Sequence, residues 1–404
     1  MSARKAAAVA LALAGLTTIV IVAAWRLVTP RPPVPATMAV GEALGGPSEG
    51  FERALRVRPF VFPADHGPHP GFRTEWWYYT GNLNTADGRH FGFQLTFFRI
   101  GLAPTMVSRT SAWASREAYM AHFALTDTAG RRFSAASRLS RAALGLAGAQ
   151  AQPFKVWVED WSAEGIADDA VPVTLRAAEG DIAIDLTLAS AKPVVLQGEG
   201  GLDRKGEESG NASYYYSLTR MPARGRVTIR GTAFEVTGLG WMDREWSTSS
   251  LGTDLMGWDW FALQLGDGRE LMLYHLRHAD GSADRFSGGS LVAAGGTSRR
   301  LDPADFRIDV LETWSSPRDG TRYPSRWHVT VPAESLDLDI VPRLPDQELA
   351  VAVRYWEGAV SIAGHARGRP VSGVGYVELV GYAGGATGPR TRKSFLLISP
   401  AKLP

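Results

Sequence analysis

The chain has no cysteine. That one absence excludes disulfides, thiol nucleophiles, thiolate metal sites and a lipid-modified cysteine anchor. Charge of one sign is equally scarce: 43 basic and 41 acidic residues leave a formal charge of only +2 over 404 residues. Such a balance carries no electrostatic footprint for nucleic acid and predicts no nucleic-acid partner. There is no GxSxG elbow, no phosphate-binding loop and no dinucleotide fingerprint, which argues against an α/β-hydrolase, an NTPase and a Rossmann enzyme. The histidines other than His122 (His66, His69, His90, His275, His278, His328 and His365) lack metal-ligand spacing of the HExxH kind. No metal and no cofactor are predicted.

What is present is ordinary globular material, 45% hydrophobic and 21% charged, long enough for two domains at ~150 residues each. At the amino terminus Arg4 and Lys5 precede the apolar run from Ala6 to Trp25, about the length of helix that crosses ~30 Å of hydrocarbon. Residues 1–30 are expected to be a signal anchor or, with "VAA" at Val22 to Ala24 as the cleavage site, a signal peptide. Either exports the remainder. Residues 31–57, rich in Pro and Gly, read as a tether.

From about Arg58 onward the pattern is β. Segments such as "RHFGFQLTFF", "DIAIDLTLA", "RVTIRGTAFEVTG" and "RELMLYHLR" are β-branched or aromatic and bounded by Gly, Asp and Pro. An all-β sandwich or barrel with minor helices is predicted. The main helical candidate is Ser134 to Ala149, which places Leu139, Ala142, Ala143 and Leu146 on one face. An internal echo adds shape. Trp77 and Tyr79 precede Asp87-Gly88-Arg89 much as Trp258 and Trp260 precede Asp267-Gly268-Arg269, and Asp-Gly between apolar strands is a hairpin signal. Two similar β domains are therefore expected, over 58–237 and 238–404, with Trp77 and Trp258 at equivalent positions.

Two dense clusters hold the candidate chemistry. In "TEWWYYTGNL", strand alternation sends Glu75, Trp77 and Tyr79 to one face and Trp76, Tyr78 and Thr80 to the other, so both faces must be covered. Buried there, Glu75 needs a partner, with Arg73, Arg99, His122 and Arg244 as candidates. It is either a structural ion-pair member or a ligand-binding or catalytic group. In "GLGWMDREWS", Trp241, Asp243 and Glu245 share one face and Met242, Arg244 and Trp246 the other. That arrangement suits a pocket for an apolar ligand with a proton donor, because apolar surroundings raise a carboxyl pKa. It suits a domain junction equally. His122 in "MAHFALTD" stands on an apolar face, as a core residue or a donor to the same network.

In order along the chain, "HPGFRTEWWYYTGNL", "YMAHFALTD", "AQPFKVWVEDW", "PVVLQGEGG", "ASYYYS" and "GLGWMDREWS" closely resemble the signature segments of the carotenoid 1,2-hydratase and lipocalin-like family of exported bacterial proteins. These matches run from His69 to Ser247, and "MGWDWFALQLGDGRELMLYHLR" extends them more weakly. The resemblance implies two tandem lipocalin-like β-barrels of the calycin type. It also implies an exported protein on the periplasmic side of the inner membrane. Its chemistry is less constrained, because the family spans carotenoid hydratases, fungal cyclisation catalysts and members described only as secreted hydrolases.

Two functions remain open. One is a membrane-tethered module binding an apolar small molecule (a lipid, fatty acid or isoprenoid) along Trp76, Trp77, Tyr79, Tyr216, Trp241, Arg244, Trp246, Trp258 and Trp260. The other is a hydro-lyase resembling carotenoid hydratase, with Asp243, Glu245 or Glu75 as the acid and His122 assisting. Relatives often carry His where this chain has Arg244, and a guanidinium cannot shuttle a proton at neutral pH. Its partners are the ligand and the membrane; any membrane-protein partner is left unspecified.

Overall fold

The computed structural model describes residues 48–105, 111–166, 170–248, 251–252, 254–351 and 353–383. The apolar run at Ala6 to Trp25, expected to be helical, lies outside them, as does most of the tether. Among the described residues no helix is long and apolar enough to cross a membrane.

The short β-branched and aromatic runs become strands throughout. Strands β1 (Thr74–Asn84), β2 (His90–Gly101), β3 (Glu117–Asp127) and β4 (Arg132–Arg141) form one antiparallel meander. A second comprises β5 (Ala147–Gln150), β6 (Lys155–Val158), β7 (Trp161–Gly165), β8 (Val173–Glu179) and β9 (Ile182–Leu188). The short β10 (Val195–Leu196) and β11 (Leu202–Arg204) pair with β12 (Ala212–Ile229). Long strands β12 and β13 (Thr232–Ser247) stitch the meanders together, β13 to β1 and β12 to β9. The ends of this 13-stranded sheet approach one another, β3 against β5 and β4 against β6, so that it nearly closes around its own core.

The second sheet has ten strands. These are β14 (Leu255–Leu265), β15 (Glu270–His278), β16 (Gly288–Val292), β17 (Ser298–Leu301), β18 (Arg307–Ser315), β19 (Arg322–Val331), β20 (Leu336–Pro342), β21 (Glu348–Ala350), β22 (Arg354–Ala366) and β23 (Arg369–Leu379). Its order, 17-16-15-14-23-22-20-19-18, repeats the order 4-3-2-1-13-12-9-8-7 of the first. Even the accessory strand recurs, β21 on β22 matching β10 and β11 on β12. The echo in the sequence is thus a repeat of topology.

Three expectations need correction. Residues 134–149 form β4, a turn and β5, not a helix. The free edge of β3 offers pairing along the whole of β4, and this long-range ladder overrides weak Ala/Leu helix propensity. Leu144 and Gly145, both at positive φ, interrupt any helical path, and Leu139 is 70% exposed. Among the described residues the helices are two short 3₁₀ turns, Ala64–His66 and Pro332–Glu334. Next, β13 pairs with β1 as far as Ser247, so the first sheet extends past the expected boundary at 237/238. Last, both Asp-Gly hairpins form, with Gly88 and Gly268 at φ of 86° and 87°. Their closing pairs are Asn84 with His90 and Gln264 with Glu270. Counting back from these, Trp258 matches Tyr78 and not Trp77. One residue of offset reverses the face, and the two tryptophans point to opposite sides of their sheets.

The sheets pack through Tyr78, Tyr215 and Trp241 of the first and Trp260, Tyr274 and Tyr376 of the second. A polar clip closes one margin. Glu270, wholly buried on β15, receives Lys192 Nζ at 2.7 Å and Arg220 Nε from the first sheet. Lys192 also donates to Gly268 O at 2.6 Å and Ala293 O at 2.8 Å. Removing one partner of a buried ion pair leaves the other charges uncompensated. Glu270→Gln should therefore cost ~3–5 kcal/mol, read as a lowered chemical-denaturation midpoint. An unchanged midpoint would mean the clip is idle.

Candidate functional site between the two sheets

Strand β1 and the Gly240 to Ser247 half of β13 are buried on both faces, and alternation gives each face its own chemistry. Inside the first sheet lie Glu75, Trp77, Tyr79, Tyr216, Arg244 and Trp246. Glu75 is fully buried, and its carboxylate oxygens take Arg99 Nε and Arg244 Nη2. The backbone N–H of His69 donates to both oxygens, at 3.0 and 3.1 Å. Burial alone would raise its pKa, but Arg244 and Arg99 outweigh that and hold it well below the usual carboxylate range. Arg244 stacks 3.9 Å above Trp77, and His69 lies flat on Trp246 at 3.8 Å. Of the candidate partners for Glu75, Arg99 and Arg244 are the ones that reach it; the side chain of His69 was not foreseen. Tyr216 Oη meets His66 Nδ1 at 2.6 Å. This face is a closed ion network, turned away from the sheet interface.

The other face opens on a cavity of about 140 Å³ between the sheets. From the first sheet come Trp76 and Tyr78 on β1, Thr96 and Phe98 on β2, Tyr215 on β12, and Asp243 and Glu245 on β13. The second sheet contributes Trp258 and Trp260 on β14, Tyr274 on β15, Tyr355 and Glu357 on β22, and Glu378 on β23. Lys205 and Leu251 lie at its margin. The walls are largely aromatic, and four carboxyls and one ammonium stand among them beside the hydroxyls of Thr74, Thr96 and Ser247.

Asp243 accepts hydrogen bonds from Tyr215 Oη at 2.6 Å, Ser217 Oγ at 2.5 Å and Trp241 Nε1 at 2.8 Å. Burial outweighs these donors, and with Glu245 close by its pKa rises to about 7. Glu245 is also pushed up by burial, which Lys205 at 3.3 Å partly offsets. Burial opposes the charge on Lys205, yet Asp203 and Glu245 overcome it and keep the amine protonated. Glu378 is raised to about 8, by burial first and then by Asp243 and Glu245. Glu357 is raised further, by burial and by Glu378. Tyr78 Oη donates to Glu357 Oε1, and Trp260 Nε1 donates to Tyr215 Oη at 3.2 Å.

The candidates from the sequence are therefore divided. Trp76, Asp243, Glu245, Trp258 and Trp260 meet at the cavity, with Trp241 just behind Asp243. Glu75, Trp77, Tyr79, Tyr216, Arg244 and Trp246 do not reach it. His122 faces the interface but stands one layer back: its Nδ1 meets Tyr355 Oη at 2.8 Å, its Nε2 has no hydrogen-bond partner, and burial lowers its pKa to about 3. Missed entirely were Tyr78, Tyr215, Lys205, Tyr274, Tyr355, Glu357 and Glu378. Alternation did place Tyr78 opposite Trp77. The glutamates in "YWEGAV" and "YVELV" carried one signal, a carboxylate inside an apolar strand.

Raised carboxyls fix the sign of a pH effect. The unfolded chain releases these protons near pH 4, whereas the fold retains them to about 7 at Asp243 and about 8 at Glu378. Their contribution favours folding at low pH and is lost as pH climbs through that window. Glu75 acts oppositely, its contribution being lost only in acid. In Asp243→Asn one of these titrations is gone, so Tm measured from about pH 5 to about pH 8 should decline less steeply than in the wild type. Parallel slopes would mean that Asp243 ionises as readily folded as unfolded.

Solved structures place this architecture among known relatives. A structure assigned as an AttH of Nitrosomonas europaea is 34% identical, covering 82% of this chain and 100% of its own, with a TM-score of 0.73. Kievitone hydratase of Nectria haematococca is 15% identical over 82% of this chain and 98% of its own, with a TM-score of 0.62. The protein CghA, solved with Sch210972, is 17% identical over 81% of this chain and 94% of its own, with a TM-score of 0.51. At these lower identities the likeness is one of fold. No curated protein matches the sequence. The resemblance carried by the segments from His69 to Ser247 holds, for residues 53–382 match the AttH-like family model, and the chain belongs to the AttH-like family.

Proposed function

We propose that the two sheets are tandem lipocalin-like barrels and that the cavity between them takes an unsaturated apolar group and adds water across its C=C bond. The observation that carries this reading is the set of buried carboxyls, two of them at about 7 and about 8, held among indole and phenol rings. Protonating an alkene needs an acid that is still protonated at neutral pH, and burial supplies one. The cation so formed is tertiary when the alkene is an isoprene unit. Trp76, Trp258 and Trp260 present ring faces able to stabilise it. Likeness of fold to kievitone hydratase supports the same class of chemistry.

Size narrows the substrate. A cavity of about 140 Å³ is close to the ~150 Å³ that accepts benzene in an engineered core. One isoprene end fits, and a whole carotenoid does not. The bulk of a long substrate would lie outside, past Lys205 and Leu251. Incubation with geranylgeraniol and squalene in D₂O tests the reading. Mass spectrometry should find hydrated product with one carbon-bound deuterium, and Asp243→Asn should slow its formation ~100-fold or more. Ligand recovered intact and without deuterium would leave a carrier of apolar molecules instead.

Export and tethering by Ala6 to Trp25 complete the proposal, because that run has the length and basic flank of a signal anchor. Full-length protein should fractionate with membranes on the periplasmic side. Recovery from the cytosol would refute it.

A further inference from the structure

In the antiparallel pairing of β22 with β23, Glu357 stands directly opposite Glu378. Such partners share a face with their Cβ atoms ~5 Å apart, and here both side chains line the cavity. Neither has a cationic partner among the described residues, unlike Glu245 with Lys205 or Glu75 with its two arginines. Two neighbouring carboxylates in an apolar site cannot both ionise, so the pair keeps at least one proton between its members. The surroundings fit that state. Tyr78 Oη donates to Glu357 Oε1, whereas Glu357 Oε2, in a residue with no exposed surface, makes no hydrogen bond within the protein. Tyr355 lies beside it with its hydroxyl at His122 Nδ1. Glu357 lines the aromatic cavity, and its unpartnered oxygen can carry the pair's proton without a competing hydrogen bond.

We propose that Glu357 and Glu378 form a proton-sharing pair that is the acid of this cavity, and that Asp243 on the facing sheet receives the proton of the attacking water. The inference rests on the hydration reading. In the forward step the pair's O–H bond breaks and a C–H bond forms at the less substituted alkene carbon, drawing on the π electrons. Its neighbour is left as a cation. The oxygen of water then bonds to that carbon while one water proton passes to Asp243. The pair has lost a proton and Asp243 has gained one, and returning it through cavity water restores both. The division of labour follows position. Asp243 alone is surrounded by three donors, which favour its ionised form, whereas the two carboxyls of the pair share two phenols and an indole and each disfavours the other's charge.

The test uses Glu357→Gln, Glu378→Gln and the wild-type chain with geranylgeraniol and squalene in D₂O. Each is also examined by infrared spectroscopy for the C=O stretch of a protonated carboxyl. Either substitution should lower deuterium incorporation ~100-fold or more. Each should also shift the pair's carboxyl band, because the remaining proton then sits on a single carboxyl instead of between two. Should Glu357→Gln fail to fold, Glu378→Gln decides alone, since Glu378 is less completely buried than Glu357. Glu378→Gln with more than about a tenth of the wild-type rate, or a band that keeps its wild-type frequency in both variants, would overturn the pair. A wild-type chain that incorporates no deuterium would overturn the hydration reading and the pair's catalytic role together.

Discussion

Everything at the centre of this molecule follows from β1 and the Gly240 to Ser247 half of β13, which are covered on both sides. A charge on such a strand must be met by an opposite charge or given up as a proton. Both solutions occur one residue apart. Glu75 faces inward and stays ionised between Arg99 and Arg244, fixing the mouth of the first sheet to the loop at His69. Asp243 and Glu245 face outward, where one lysine serves several carboxyls, and there the proton is the cheaper answer. The same ladder thus carries a permanent ion network on one surface and weak acids on the other. The first locks the geometry against which the second works.

The acids also depend on the second sheet. Without Trp258, Trp260 and Tyr274 covering them, Asp243 and Glu245 would meet solvent and titrate in the ordinary range. The interface clip at Glu270 and the bond from Tyr78 to Glu357 therefore matter beyond stability. They hold the second sheet over the carboxyls.

Much of this was legible in the sequence because it is local. Alternation along "TEWWYYTGNL" and "GLGWMDREWS" correctly sorted Glu75 from Tyr78 and Asp243 from Arg244, and the Asp-Gly turns marked both hairpins. What stayed hidden needs strand pairing between distant segments. Glu357 and Glu378 are each a lone glutamate in an apolar run, and only the β22–β23 register sets them side by side. The run "YYYS" offered three tyrosines and no way to choose; pairing with β13 puts Tyr215 opposite Glu245 and Tyr216 opposite Arg244. Residues 134–149 misled for the same reason, since the edge of β3 that recruits β4 is invisible to helical periodicity.

The repeated strand order has one more consequence. Thr80 pairs with Trp241 in the first sheet, and the matching position, Trp260, pairs with Glu378 in the second. Where one half carries an indole the other carries a carboxyl. Two halves built alike would present the same groups to both ends of a bound molecule, and a chain-like guest would enter either way round. This exchange of Trp for Glu removes that degeneracy. Glu378 lines the cavity while Trp241 stands behind Asp243, so the two halves give it unlike walls although they are woven to one pattern.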